Sequence, residues 1–224
     1  PGYNEIVVGN PGENNQPGRS ENSVILHEEA HAIDNKLGTS VNGMRGDYFS
    51  VKWNDGEFGD TLRNEVNDCI KNRHKQLNEE YQTHRNDATW IRENFGFNRL
   101  GLYKDWSDEE IVSAFGNEKR LPKSFAYNSI KREVQQMVDS NGRQGGSTSH
   151  QGGCISDIFG LATNNRARDG FGHDNSYAKA STSLPIEAFA EFSECTVAGH
   201  TDVIKQMFPN SYAAYERMIA DACK

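Results

Sequence analysis

The chain has 224 residues, 35 % hydrophobic and 25 % charged, enough for one sizeable domain or two small ones. A net charge of −8 and an isoelectric point near 5.4 argue against a nucleic-acid footprint, which needs a clustered basic face. No stretch approaches the roughly 18 consecutive apolar residues of a membrane span, and a mean hydropathy of −0.80 marks a polar chain with much loop.

The chain opens on Pro1-Gly2, a start that suggests an excised domain or a processed product. Within residues 1–23, "EIVVGN" predicts a short strand and "PGENNQPGRSENS" a loop. From Leu26 to Lys36 the pattern is helical, with Ser23 as a candidate N-cap and Gly38 as the stop. Gly43 to Asp60 mixes aromatics with Gly and Asp and predicts a hairpin or an ordered loop. Leu62, Val66, Ile70, Leu77 and Tyr81 then follow three- and four-residue steps, with a gap at His74, and predict one long charge-rich helix across 61–94. Ser107 and Glu110 make a capping-box pattern at the head of a short helix, and "SFAYNSIKREVQQMVDS" predicts another.

Residues 141–153 are rich in Gly and Ser and predict a flexible surface loop within one domain. "CISDIFGLA" reads as a short helix and "TNNRARDGFGHDNSY" as irregular chain. "PIEAFAEFSECTVAGH" is a strong helix with Pro185 near its first turn, and "FPNSYAAYERMIADACK" is a last helix. Cys69, Cys154, Cys195 and Cys223 are widely spaced without a Cys-x-x-Cys pair, which leaves two disulfides and four free thiols both open.

The stretch that points to chemistry is "VILHEEAHAID", residues 24–34. His27 and His31, four apart on a helix, share one face and can reach one zinc ion. Glu28, rotated about 100° from His27, stands where a general base can take a proton from zinc-bound water, whereas Glu29 turns toward solvent. The flanking Val24, Ile25, Leu26, Ala30 and Ile33 predict a buried, rigid helix. His-Glu-x-x-His is a loose pattern on its own, so a third ligand is required. Asp34, seven residues after His27, is better suited to accept a hydrogen bond from a ligand imidazole than to bind the metal. The stronger candidate is "PIEAFAEF", where Glu187 and Glu191 lie four apart on one helix face. Such a helix opposite a His-Glu-x-x-His helix is the gluzincin arrangement, in which the first Glu can bind zinc and the second can accept a hydrogen bond from a ligand histidine. The metzincin spacing is absent, since the positions it needs are occupied by Asp34 and Leu37.

Together, "LHEEAHAID" and "PIEAFAEFSE" resemble the zinc peptidase domains related to anthrax lethal factor, including the clostridial Pro-Pro endopeptidases. The resemblance implies that His27, His31 and Glu187 bind one Zn2+ per chain, that Glu28 is the base and that Glu191 supports a ligand histidine. It also implies an α+β, mostly helical, zincin-like domain over 1–224, with a long insertion at about 40–150. "CISDIFGLATNNRARDGFGHDNSY" followed by "EAFAEF" is similar to metallopeptidase domains of bacterial polymorphic toxins and some phage head-associated proteins. Two departures stand out. Glu187 lies 156 positions after His31, far more than in compact members, and the family's oxyanion tyrosine is replaced by Ala180. Tyr177 or His173, just upstream, can take that role.

The expected function is zinc-dependent hydrolysis of a peptide bond in a protein substrate, with the 40–150 segment shaping the substrate cleft and the Gly-rich loop as a lid. The toxin-like similarity adds a secreted or delivered effector setting, with a cognate immunity or carrier protein as a partner. The rivals are hydrolysis of a cell-wall amide, a non-catalytic interaction module that keeps the fold, and a structural metal site. The last usually uses four Cys or His ligands and no adjacent Glu.

Overall fold

The computed structural model describes residues 21–42, 47–95, 103–140, 147–168 and 173–224. Among them every regular element is helical: α1 (Glu21–Asn42), α2 (Phe49–Lys52), α3 (Glu57–His84), α4 (Ala88–Asn94), α5 (Asp108–Phe115), α6 (Ser124–Asp139), α7 (Ser147–Thr163), α8 (Ser183–Val197), α9 (Asp202–Met207) and α10 (Pro209–Ala222). Short 3-10 turns stand at Trp53–Gly56 and Tyr177–Lys179. The chain is mostly helical, as expected. The β part of the α+β expectation has no counterpart among the described residues, and the "EIVVGN" strand lies outside them. Two compact units divide the chain, one taking residues up to 67 together with 131 onward, the other taking 68–130. The second falls inside the stretch expected as an insertion, while residues 47–67 belong to the first.

In the first unit, α1 packs against α8 and α2. Its buried stripe is Ser23, His27, Ala30, Asp34 and Gly38, one residue per turn and mostly small or polar. The expected apolar face is different: Ile25 and Ile33 are exposed, at 37 % and 53 %. Ser23 lies inside the helix rather than capping it, because α1 begins at Glu21. Gly38 does not stop α1. A Cβ there would stand 2.6 Å from the Asp47 carbonyl oxygen and 2.7 Å from the Phe49 nitrogen, so glycine lets the 47–49 backbone lie against the helix.

The expected hairpin over 43–60 is helical from Phe49 onward, with 43–46 outside the description. The turn inside it joins two helices instead of two strands. Asn54, Asp55 and Gly56 take positive φ values of 46°, 57° and 91°, which redirects the chain from α2 into α3. Phe58, Leu62 and Val66 of α3 are buried in the first unit. Glu65 caps α10, accepting from the backbone nitrogens of Asn210 and Ser211 at 2.8 and 2.9 Å, behind Pro209 at the helix's first position.

Residues 147–153, expected as loop, form the first two turns of α7; 141–146 lie outside the described residues. The reason is close packing, since a Cβ at Gly152 would meet Met137 and the Val138 backbone of α6 at 3.0 Å. At the centre is α8, buried on every side from Ser183 to Phe192. Its Phe192 meets Phe58 and Tyr212 with ring centroids 5.9 and 5.4 Å apart, and its Phe189 meets Tyr215 at 5.8 Å. Each such buried ring stabilises the fold by roughly 1.5–3 kcal/mol.

In the second unit the predicted long helix is two. α3 ends at His84, and Asp87 caps α4 by accepting from the Trp90 nitrogen at 3.0 Å. Ser107 and Glu110 make the expected capping box on α5, at 3.3 and 2.7 Å. The unit's core gathers Leu77, Tyr81 and Leu121, and Ala88, Ile91 and Ile111, with Trp90, Phe95, Tyr103 and Phe115 against them. The gap at His74 is a buried polar residue, its Nε2 bonded to the Leu121 carbonyl at 2.7 Å.

Candidate metal centre

An apolar helix carrying three glutamates along one stripe must partner each of them, because burying an unpaired carboxylate costs several kcal/mol. Glu187, Glu191 and Glu194 of α8 form that stripe, and all three are buried. Facing them is the His27–His31 face of α1.

His27 Nε2 lies 3.2 Å from Glu187 Oε2, His31 Nε2 lies 3.3 Å from the same oxygen, and the two Nε2 atoms are 3.1 Å apart. The two rings stand at 89° to each other. Tetrahedral ligands at about 2.0–2.1 Å from zinc are about 3.3 Å from one another. The three donor atoms therefore form a triangle of the size a zinc ion requires, made by two imidazole nitrogens and one carboxylate oxygen. Burial alone would raise the Glu187 carboxyl, but hydrogen bonds from His27 and His31 outweigh it, and the group is held well below the usual carboxylate range. An ionised carboxylate beside two imidazole nitrogens is a fitting donor set for a divalent ion.

Behind the triangle, His27 Nδ1 is 3.2 Å from Glu194 Oε2 and 3.9 Å from Glu191 Oε1. Glu191, expected to support a ligand histidine, thus sits near His27, but Glu194 stands closer. Asp34, expected to accept from a ligand imidazole, does otherwise. Its carboxylate accepts from the Ser50 backbone nitrogen at 2.7 Å and the Ser50 hydroxyl at 2.6 Å, tying α1 to α2. Burial pushes its pKa up to about 6 despite those bonds. His31 Nδ1 is buried without a hydrogen-bond partner among the described residues. Glu28 and Glu29 are both exposed.

Tyr177 and His173 approach the other oxygen of Glu187. The Tyr177 hydroxyl donates a short hydrogen bond to Glu187 Oε1, and His173 Nε2 lies 3.6 Å from it. Their rings stack at 4.3 Å. Burial and the Glu187 hydrogen bond raise the Tyr177 pKa, so the phenol keeps its proton. Asp157 of α7 holds His173 by its backbone nitrogen and Nδ1, each at 3.0 Å. Burial disfavours the imidazolium, but the Asp157 bond and charge outweigh it and raise the His173 pKa. Tyr48, at the head of α2, feels the charges of Asp34 and Glu187 on top of its own burial, which raises its hydroxyl.

Sequence reasoning missed Glu194, Asp157 and His150. Glu194 was within reach, since it extends the 187–191 stripe by one more turn. Asp157 and His173 stand 16 residues apart, and nothing in that spacing shows that they bond. His150 was hidden in a Gly- and Ser-rich segment. None of the four cysteines is in a disulfide; Cys154 and Cys195 stand 3.4 Å apart, sulfur to sulfur, between α7 and α8. No helix among the described residues is long and apolar enough to cross a membrane. Compared with protein-family models, curated proteins and solved structures, the chain matches none.

Proposed function

We propose that this chain is a zinc-dependent endopeptidase with a zincin-like first unit. The observation that carries the reading is the triangle of His27, His31 and Glu187, assembled from residues up to 160 positions apart and sized for a zinc ion. These three residues would hold the ion. Bound there, zinc lowers the pKa of water and polarises a carbonyl. Glu28, exposed beside His27, takes the proton from the attacking water and returns it to the leaving amine. Tyr177 and His173, side by side at the edge of the triangle, donate to the substrate oxygen as it gains negative charge. Asp157 keeps His173 oriented. The resemblance to toxin peptidases supports a delivered effector acting on a protein, with an immunity or carrier protein as a partner.

The test pairs metal analysis with cleavage. Wild-type protein is expected to hold about one zinc per chain at the triangle, and Glu28→Ala to keep that zinc. Comparison of new N-termini in a lysate treated with either protein should show sites cut only by wild type, the variant being slower by about 10²–10⁴. A zinc-free wild type ends the reading, and equal cleavage by Glu28→Ala ends the mechanism.

A further inference from the structure

Beyond Glu194, the packed faces of α7 and α8 gather a second set of metal-binding side chains. His150 and Cys154 stand four apart on α7, so they share one face, one turn from each other. Cys195 lies near the end of α8, and Gly199 just past it takes a positive φ of 72°. That turn folds the chain back, and the His200 backbone nitrogen donates to the Cys195 carbonyl at 2.8 Å. Gln151 of α7 accepts from the backbone nitrogens of Val203 and Ile204 at 2.8 and 3.0 Å, which pins the start of α9 beside the same helix. Within this frame the two sulfurs of Cys154 and Cys195 are 3.4 Å apart, and His150 Nδ1 is 3.0 Å from His200 Nδ1. A ring nitrogen of His150 and both sulfurs all lie within 4.8 Å of one another. His150, Cys154 and Cys195 are almost fully buried, and His200 reaches partial exposure.

We infer that His150, Cys154, Cys195 and His200 form a second, structural zinc site that fastens α7 to the end of α8. Two buried thiols facing each other gain little, because sulfur is a weak donor and a weak acceptor. An ion gives them a strong partner. Tetrahedral zinc, with bonds of about 2.0–2.1 Å to nitrogen and about 2.3 Å to sulfur, keeps its ligands about 3.3–3.8 Å apart. The nitrogen pair and the sulfur pair each stand within a few tenths of an ångström of that spacing. Two sulfurs with two imidazole nitrogens suit zinc, and four protein ligands leave no open position for water or substrate, as in structural sites. On loading, the two thiol protons leave to solvent and two thiolates balance the charge of Zn2+, so the buried site is neutral. Glu194 Oε1, 2.5 Å from His150 Nε2, orients that ring with Nδ1 toward His200. The inference goes beyond the peptidase reading and does not depend on it.

The test titrates reduced, metal-free protein with Co2+, whose bond to a thiolate gives a near-ultraviolet charge-transfer band that nitrogen and oxygen ligands do not give. Wild type should show that band and take up about two ions per chain, one at each site. Cys195→Ser should lose the band and one ion, while Glu187→Ala should keep the band and lose the other. His200→Asn changes the partly exposed ligand and carries the test if Cys195→Ser does not fold. It should keep the band but hold that ion at least about 10-fold more weakly. A reduced wild type without the band overturns the inference and leaves the triangle untouched. A band of unchanged strength and affinity in either variant overturns it as well. A band with no second ion supports this site and sinks the peptidase reading alone.

Discussion

Between α1 and α8 the first unit buries His27 together with Glu187, Glu191 and Glu194, whereas the second unit buries His74 against a backbone carbonyl and leaves its acids in water. Both histidines sit on helices and both are nearly inaccessible. His74 meets one neutral acceptor, the usual satisfaction of a core histidine. His27 meets carboxylates through both ring nitrogens, a costly arrangement unless a cation completes it. In the second unit, acids such as Asp68 and Glu79 lie on the surface beside Lys71 and Lys75, in exposed pairs worth little. Burial of a histidine alone therefore says nothing about function. What its second nitrogen faces is the informative fact.

The largest expected effect tests the costly side of that contrast. Glu187→Ala removes a corner of the triangle and should take the zinc bound there from about one per chain to near zero, with peptidase activity lost, as read by metal analysis. Retention of full zinc would show that Glu187 is not a ligand.

A smaller effect belongs to Asp34, buried like the site glutamates but answered by Ser50 and the Phe49 backbone, without a cation between. Below pH about 4 its carboxyl is protonated in folded and unfolded chains alike. Between about 4 and 6 the unfolded chain ionises first, so its folded pKa of about 6 makes this group cost stability as pH rises. Two pH units come to about 3 kcal/mol. Asp34→Asn should therefore gain on wild type progressively from pH 4 to 6 in urea melts of the metal-free protein. A pH-independent difference would mean that the carboxyl ionises normally.

The smallest effect tests the ordinary side. His74→Ala strands the Leu121 carbonyl and should cost about 1–3 kcal/mol of stability, with zinc affinity unchanged. A changed zinc affinity would erase the distinction between the two histidines.

Much of the helical content was legible in the amino-acid pattern. The capping box at Ser107 and Glu110 and the proline at the head of α10 are local signals, and local signals survive into the fold. The errors came where tertiary packing overrode the pattern. Gly38 and Gly152 read as a stop and a loop because glycine is scarce in isolated helices, yet each marks a place where another backbone comes too close for a Cβ. The Gly- and Asp-rich stretch 43–60 read as a hairpin or an ordered loop, and only the flanking chain decided that its left-handed residues Asn54, Asp55 and Gly56 join helices.

The same division runs through the site. The four-residue spacings of His27 with His31 and of Glu187 with Glu191 are helix arithmetic, so the sequence by itself determined which side chains share a face. It could not determine that the two faces meet, because 160 positions separate His27 from Glu187 and no local rule spans them. It could not assign Asp34 to Ser50, nor Glu194 to both His27 and His150. Each of those bonds depends on which helices lie side by side, and the packing of α8 at the centre of the first unit decided that.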